Sequence, residues 1–146
     1  MKNKGFSLVE LIIVIAIMAI LAAAIAPALI RYIDKSRKSD DVAAAETVGT
    51  AVNAALANED AYSEVANVMD GSTTVWTFAG GAATTVGTTY KTFDSEMSAN
   101  LGGEAPKVKY NKDGNTDWSV KIQQSGKALV YKGNAELQPE IDPSYK

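Results

Sequence analysis

Gly5-Phe6-Ser7-Leu8-Val9-Glu10, followed by the run LIIVIAIMAILAAAIAPALI from Leu11 to Ile30, decides how the rest of this chain is read. The run carries no charged residue, and about 20 residues at 1.5 Å each match the roughly 30 Å of a bilayer's hydrocarbon core. It is therefore a transmembrane helix candidate. Lys2 and Lys4 precede it, and Glu10 sits one turn inside the apolar stretch that begins at Phe6.

A removable secretory signal would need basic residues, a short apolar run and a small-residue cleavage site. Lys2, Lys4 and Ala24-Ile25-Ala26 supply the first and last. The run is longer than the usual roughly 7 to 15 residues, however, and Pro27 would follow the cut directly. A plain anchor leaves Glu10 unexplained. An acidic residue costs about 3 kcal/mol at the helix centre, whereas each Leu, Ile or Val returns about 0.3 to 0.6. Glu10 is thus tolerated by insertion but does nothing for it, and a carboxylate in such a place calls for a partner.

Glycine, an aromatic residue and then glutamate four residues on, after a short basic leader and before a long apolar helix, resembles the prepilin processing motif of the type IV pilin family. Pro27 matches a proline that this family often carries part-way along the same helix, and the resemblance covers roughly the first 55 residues. It implies that a dedicated membrane peptidase cuts between Gly5 and Phe6 on the cytoplasmic face and methylates the new Phe6 amine. It also implies that Glu10 pairs with the terminal amine of a neighbouring subunit in a filament. At 4 Å and an effective dielectric near 20 such a pair is worth about 4 kcal/mol, close to the burial cost, so Glu10 acts as a register device. Pro27 removes one helical hydrogen bond, permitting a kink or local melting during assembly. Ala19 stands where many relatives carry glycine, which opposes extensive melting.

The resemblance also implies an orientation, with a cytoplasmic N-terminus. Charge does not, because Arg31, Lys35, Arg37 and Lys38 follow the helix and compete with Lys2 and Lys4. Four segments are expected: a leader over 1–5, a hydrophobic helix over 6–30, an amphipathic continuation over 31–57 and a globular head over 58–146. In the continuation Ala45, Val48, Val52 and Ala55 or Leu56 recur at helical spacing and need an apolar cover. The expected fold is α+β, a long N-terminal helix packed against a small antiparallel sheet of three to four strands.

In the head, Thr73 to Phe78 reads as a strand ended by Gly80-Gly81, and Phe93, Met97 and Leu101 predict a short helix closed by Gly102-Gly103. Strands are expected at Lys107 to Tyr110, Asp117 to Gln123 and Ala128 to Tyr131, joined as a meander by Lys112-Asp113-Gly114-Asn115 and Ser125-Gly126. Trp118, Val120 and Ile122 alternate with polar residues and give one buried face. Gly133 to Lys146, with Pro139 and Pro143, reads as irregular.

Composition narrows the chemistry. The 146 residues hold no cysteine and no histidine, which removes disulfides, thiolate and imidazole metal sites and the commonest general base. A formal charge of -3 offers no nucleic-acid surface. Asp113, Asn115 and Asp117 place oxygen-bearing side chains at alternate positions as calcium loops do, but Trp118 and Gln124 stand where glycine and glutamate belong. A hairpin turn explains the same residues, so no cofactor is expected and calcium is the weaker alternative. No catalytic pair is legible, and the chain is not read as an enzyme.

The resemblance therefore implies a structural pilus subunit, stored in the cytoplasmic membrane as a single-pass precursor and then polymerised at the cell surface. Its partners would be further pilin subunits, the prepilin peptidase, the assembly platform and ATPase machinery, and membrane lipid before assembly. A pseudopilin of a secretion or DNA-uptake system is the alternative within the fold. A membrane-tethered binding domain that never polymerises is the alternative outside it.

Overall fold

A computed structural model describes residues 5–78 and 90–146, which form two compact units, one ending at Lys35 and the other Ser36–Lys146. Helix α1 runs Leu8–Leu56 and is followed by α2 (Glu59–Val65), β1 (Thr74–Phe78), α3 (Lys91–Asn100), β2 (Trp118–Ile122), β3 (Ala128–Lys132) and β4 (Ala135–Gln138). Single 3-10 turns lie at Ala66–Val68 and Pro143–Tyr145. The class is α+β, as expected, with the four strands in the order β1-β2-β3-β4 and every neighbour antiparallel. Gly80-Gly81 lies outside the described residues.

Between Glu10 and Arg31, α1 is apolar on all sides, and its large side chains are exposed up to Ile33. From Asp41 onward it becomes one-sided, with Asp41, Ala45, Val48, Val52 and Ala55 buried at alternating spacings of four and three. Ala45, Val48, Val52 and Ala55 form the stripe predicted for the helix and join Phe93, Met97, Trp118, Val120, Ile122 and Val130 in the core, whereas Asp41 was not predicted. Trp118, Val120 and Ile122 on β2 face the same way as their partners Lys132, Val130 and Ala128 on β3. Buried Gly49 has no Cβ to collide with the Gln138 side chain, which lets β4 close on the helix.

Two expectations for the sheet need correction. Lys107 to Tyr110 is not a strand, because its backbone donors go elsewhere: Lys109 N–H and Tyr110 N–H bond the Asp41 carboxylate at 2.6 and 3.1 Å. The remaining edge of β2 is taken by β1, with Phe78 opposite Trp118. Nor is the stretch after Gly133 wholly irregular, since β4 pairs with β3 through Tyr131 with Glu136 and Lys132 with Ala135. The short strand is masked in the sequence by its length of only four residues and by Pro139 directly after it.

Without a disulfide, the C-terminal segment is held by a buried polar cluster. Lys132, on the core face of β3 and fully buried, places its ammonium 2.9 Å from Asp113 Oδ2, 3.8 Å from Asp41 Oδ2 and 2.6 Å from the Tyr145 hydroxyl. That hydroxyl in turn donates to Asp113 at 3.0 Å. Lys132 and Lys38 both lie over the Tyr110 and Tyr145 rings, and Lys38 donates to the Ser144 carbonyl at 2.7 Å. Burial pushes the Asp41 carboxyl up, against its two backbone donors and the Lys132 charge. At Asp113 burial also acts upward but is outweighed by Lys132, the Asn115 N–H and Tyr145, so its pKa falls below the ordinary value.

Helices α2 and α3 are joined by capping rather than by their own ends. Asn58 caps α2 by accepting from Asp60 N–H and Ala61 N–H, and its amide donates to Glu96 at 2.9 Å. Tyr90, at the start of α3, offers no side-chain cap. Glu64 of α2 supplies it, accepting from Thr92 N–H at 2.9 Å, Thr92 Oγ1 at 2.8 Å and Phe93 N–H at 3.0 Å. The Phe93 and Thr92 donors hold Glu64 below the usual carboxylate range, whereas burial and then the Glu64 charge push Asp94 up to about 6.

These geometries predict the behaviour of four variants. Lys132→Met leaves two carboxylates without their cation and should cost about 3 to 5 kcal/mol, whereas Tyr145→Phe should cost about 1 to 2, both read from denaturant unfolding followed by near-UV circular dichroism. A depressed pKa gives stability that is present above the ordinary carboxylate range and lost as pH falls. Glu64→Gln should therefore lower the thermal midpoint at neutral pH, and its deficit should shrink progressively on acidification below about pH 4.5. A raised pKa acts oppositely, so Asp94→Asn should match the parent near pH 4 and exceed it in thermal midpoint above pH 6.

Candidate processing and assembly site

The residues singled out at the N-terminus lie together in one short segment. Gly5, Phe6 and Ser7 are non-helical and exposed, Phe6 at 84%, and no heavy atom comes within 4 Å of the position a Gly5 Cβ would take. The Gly5–Phe6 bond is thus outside the helix with open space around it, the condition a protease needs to engage the backbone. Helical hydrogen bonding begins immediately afterwards, with Leu11 N–H donating to the Ser7 carbonyl at 3.2 Å.

Ser7 and Glu10 close this helix end on each other. Ser7 Oγ accepts from Val9 N–H at 3.3 Å, and Glu10 Oε2 accepts from Ser7 N–H at 3.0 Å. This reciprocal arrangement is a capping box. The reading of the sequence took Glu10 as a carboxylate in search of a partner and did not single out Ser7. The spacing Ser7-Leu8-Val9-Glu10 is itself the signal for such a box, and it could have been read. Chemically, the box leaves Glu10 near the N-terminal end of the helix, where the free N–H groups and the helix dipole favour negative charge. It also brings the carboxylate beside the backbone that becomes the new terminus if the chain is cut before Phe6.

Pro27 lies inside α1, which continues through it without a break from Leu8 to Leu56. The carbonyl four residues earlier, on Ala23, has no N–H to accept from at that point. The side chains around it, Ile25 at 59% and Leu29 at 54%, are exposed. None of the large apolar side chains from Phe6 to Ile33 is covered by other parts of its own unit, and the stretch is long and apolar enough to cross a membrane.

The three calcium-loop candidates are brought near one another but turn to different partners. Asp113 accepts from Asn115 N–H at 3.1 Å and otherwise faces inward to Lys132 and Tyr145. The Asn115 side chain lies against Gly133, and Asp117 accepts from Thr116 Oγ1 at 3.2 Å. Among the described residues, no three carboxylate, histidine or cysteine side chains gather in a way that could hold a metal ion.

Comparison with known proteins bears on the N-terminal segment. Residues 1–26 match the family model described as the prokaryotic N-terminal methylation motif. The chain is 38% identical over 66 residues to the type IV major pilin protein PilA of Myxococcus xanthus, which covers 45% of this chain and 30% of that relative. It is 52% identical over 54 residues to fimbrial protein Q of Moraxella bovis, and 54% identical over 57 residues to the type IV major alpha-pilin of the same organism. Each of these two matches covers 37% of this chain and 34% of the relative, so the similarity spans about a third of the relatives' own length. No solved structure matches the chain. The methylation motif and the pilin and fimbrial relatives make the N-terminal segment of this chain similar to that of type IV pilins.

Proposed function

We propose that this chain is a structural subunit, a major or major-like pilin, of a type IV pilus. The observation that carries the reading is the apolar half of α1, whose large side chains are exposed all round and which begins at a methylation motif. Such a surface is stable in only two settings, lipid or a bundle of like helices. Storage as a membrane-anchored precursor followed by polymerisation uses the same surface in both. A structural rather than catalytic role is supported by the pilin and fimbrial relatives.

In this scheme a prepilin peptidase cuts between Gly5 and Phe6 and the Phe6 amine is methylated, with the N-terminus on the cytoplasmic side. Platform and ATPase machinery then extract subunits from the membrane into a surface filament. Glu10 keeps Oε2 on its own Ser7 N–H and offers Oε1 to the cationic amine of an adjacent subunit, so one carboxylate caps its own helix and sets the axial step of its neighbour. A helix out of step would leave that charge unpaired among hydrocarbon, which costs about 3 kcal/mol. Pro27, with its missing donor, is the point at which α1 can bend or melt as subunits pack. Calcium at Asp113, Asn115 and Asp117 forms no part of the scheme.

Glu10→Ala is expected to leave membrane insertion intact while sharply reducing filament yield, measured by shearing cells and weighing pelleted fibres against membrane-held subunit; unchanged yield would remove Glu10 from assembly. Gly5→Arg is expected to accumulate uncut precursor. Mass spectrometry of sheared material should find an N-methylated terminus at Phe6 in the parent, and a retained Met1 in assembled fibres would defeat the processing scheme.

A further inference from the structure

The cluster around Lys132 brings an amine and a carboxyl carbon within reach of each other. Lys132 is 0% exposed, and its Nζ lies 3.1 Å from Asp113 Oδ1 and 2.9 Å from Asp113 Oδ2. An atom nearly equidistant from both oxygens is also close to the Cγ between them, within the roughly 3 to 3.5 Å of a near-attack pair. The Tyr145 hydroxyl donates to Oδ2 at 3.0 Å, and the Asn115 N–H donates to Oδ1 at 3.1 Å. Asp41, its side chain fully buried, holds Oδ2 3.8 Å from the same Nζ. The rings of Tyr110 and Tyr145 complete the surroundings, each with its centroid 5.2 Å from Nζ.

Strand register accounts for a buried charge pair but not for lysine as its cation. Arginine grips a carboxylate at two points in one plane and keeps its proton in any protein setting, so it suits a purely structural pair better. A lysine amine can give its proton up in a buried site, and the free amine is a nucleophile. Here that amine faces one carboxyl group whose oxygens are already held by donors, with a second carboxylate at hand to move protons.

We propose that Lys132 Nζ and Asp113 Cγ condense after folding into an isopeptide bond, which ties the loop before β2 covalently to β3. The ammonium first passes a proton to Oδ1 along the existing hydrogen bond, leaving an amine beside a carboxylic acid. The amine attacks Cγ, and Tyr145 donates to the negative charge that gathers on Oδ2. Nζ gives a second proton to Asp41, a carboxylate that burial has made a better base than usual. The Cγ–Oδ1 bond then breaks, and the departing hydroxide takes the proton back from Asp41 and leaves as water. An ammonium and a carboxylate thus become an amide and one water, with nothing oxidised or reduced. Against burial, Lys132, the Asn115 N–H and Tyr145 keep Asp113 below its ordinary pKa, so the neutral pair is a minor form and the bond forms slowly. The fold supplies the effective concentration that the same two groups lack in free solution. The Asp113 side chain is 30% exposed, which gives the water a way out. This bond does not depend on filament formation and stands or falls separately from it.

The test uses the full chain, kept folded in detergent micelles over days at neutral pH, then denatured and weighed by mass spectrometry. The parent should become lighter by one water, and Lys132→Arg, which keeps the cation but cannot form this bond, should stay at full mass. Trypsin should then fail to cut after Lys132 and should release a branched peptide joining residues 113–121 to residues 128–146. Asp41→Asn should slow the appearance of that peptide by about a hundredfold. The branched peptide of the parent decides the matter even where a variant fails to fold. Full mass with free cleavage after Lys132 would overturn the proposal. So would a loss of water that persists in Lys132→Arg, the signature of ring closure at Asp113-Gly114 alone. A parental rate in Asp41→Asn would remove Asp41 from the reaction.

Discussion

A carboxylate buried on a helix has to be answered, and in this head much of the architecture is the answer to Asp41. Its two oxygens take the backbone donors of Lys109 and Tyr110, which fixes the chain beside α1 and prevents that stretch from pairing as a strand. The ammonium of Lys132 then comes within 3.8 Å, and with it Asp113 and Tyr145. A buried ion cluster of this kind is no great source of net stability, because desolvation cancels most of the attraction. What it supplies is uniqueness, since any other register of β3 would leave a charge stranded in the core.

The N-terminal half of α1 is governed by the opposite constraint. It has a surplus of apolar surface and almost no polar group, so burial must come from outside its own unit, and lipid or other helices are surfaces of the right kind. Glu10 is the single polar demand in that surface, and the capping box meets it within one turn. The same carboxylate is therefore engaged by its own helix end before any neighbour arrives, and the proposed pairing with a second chain would add to the cap rather than replace it.

Much of this was legible in residue order. The apolar run and the stripe Ala45, Val48, Val52 and Ala55 follow from local composition and periodicity, and so do the alternation of β2 and the glycine-closed helix at Phe93 and Met97, whereas the processing motif rests on a resemblance. What escaped was set by tertiary partners. Lys107 to Tyr110 has strand-like composition, but a carboxylate far away in sequence claimed its donors. β4 is a four-residue edge strand that closes over Gly49, and Lys132 looks like a solvent lysine until Asp41, Asp113 and Tyr145 surround it. The Ser7 cap was the exception, a local signal in plain view that the conspicuous charge of Glu10 obscured.

Tyr145 gives the polar cluster a temporal aspect. Its members come from widely separated parts of the chain, and contacts of such long range form late. During synthesis α1 is complete, and can already be threaded into a bilayer, long before residue 145 exists to close the ring around Lys132. The greasy portion therefore finds its solvent first, and the head matures afterwards on a helix that is already anchored.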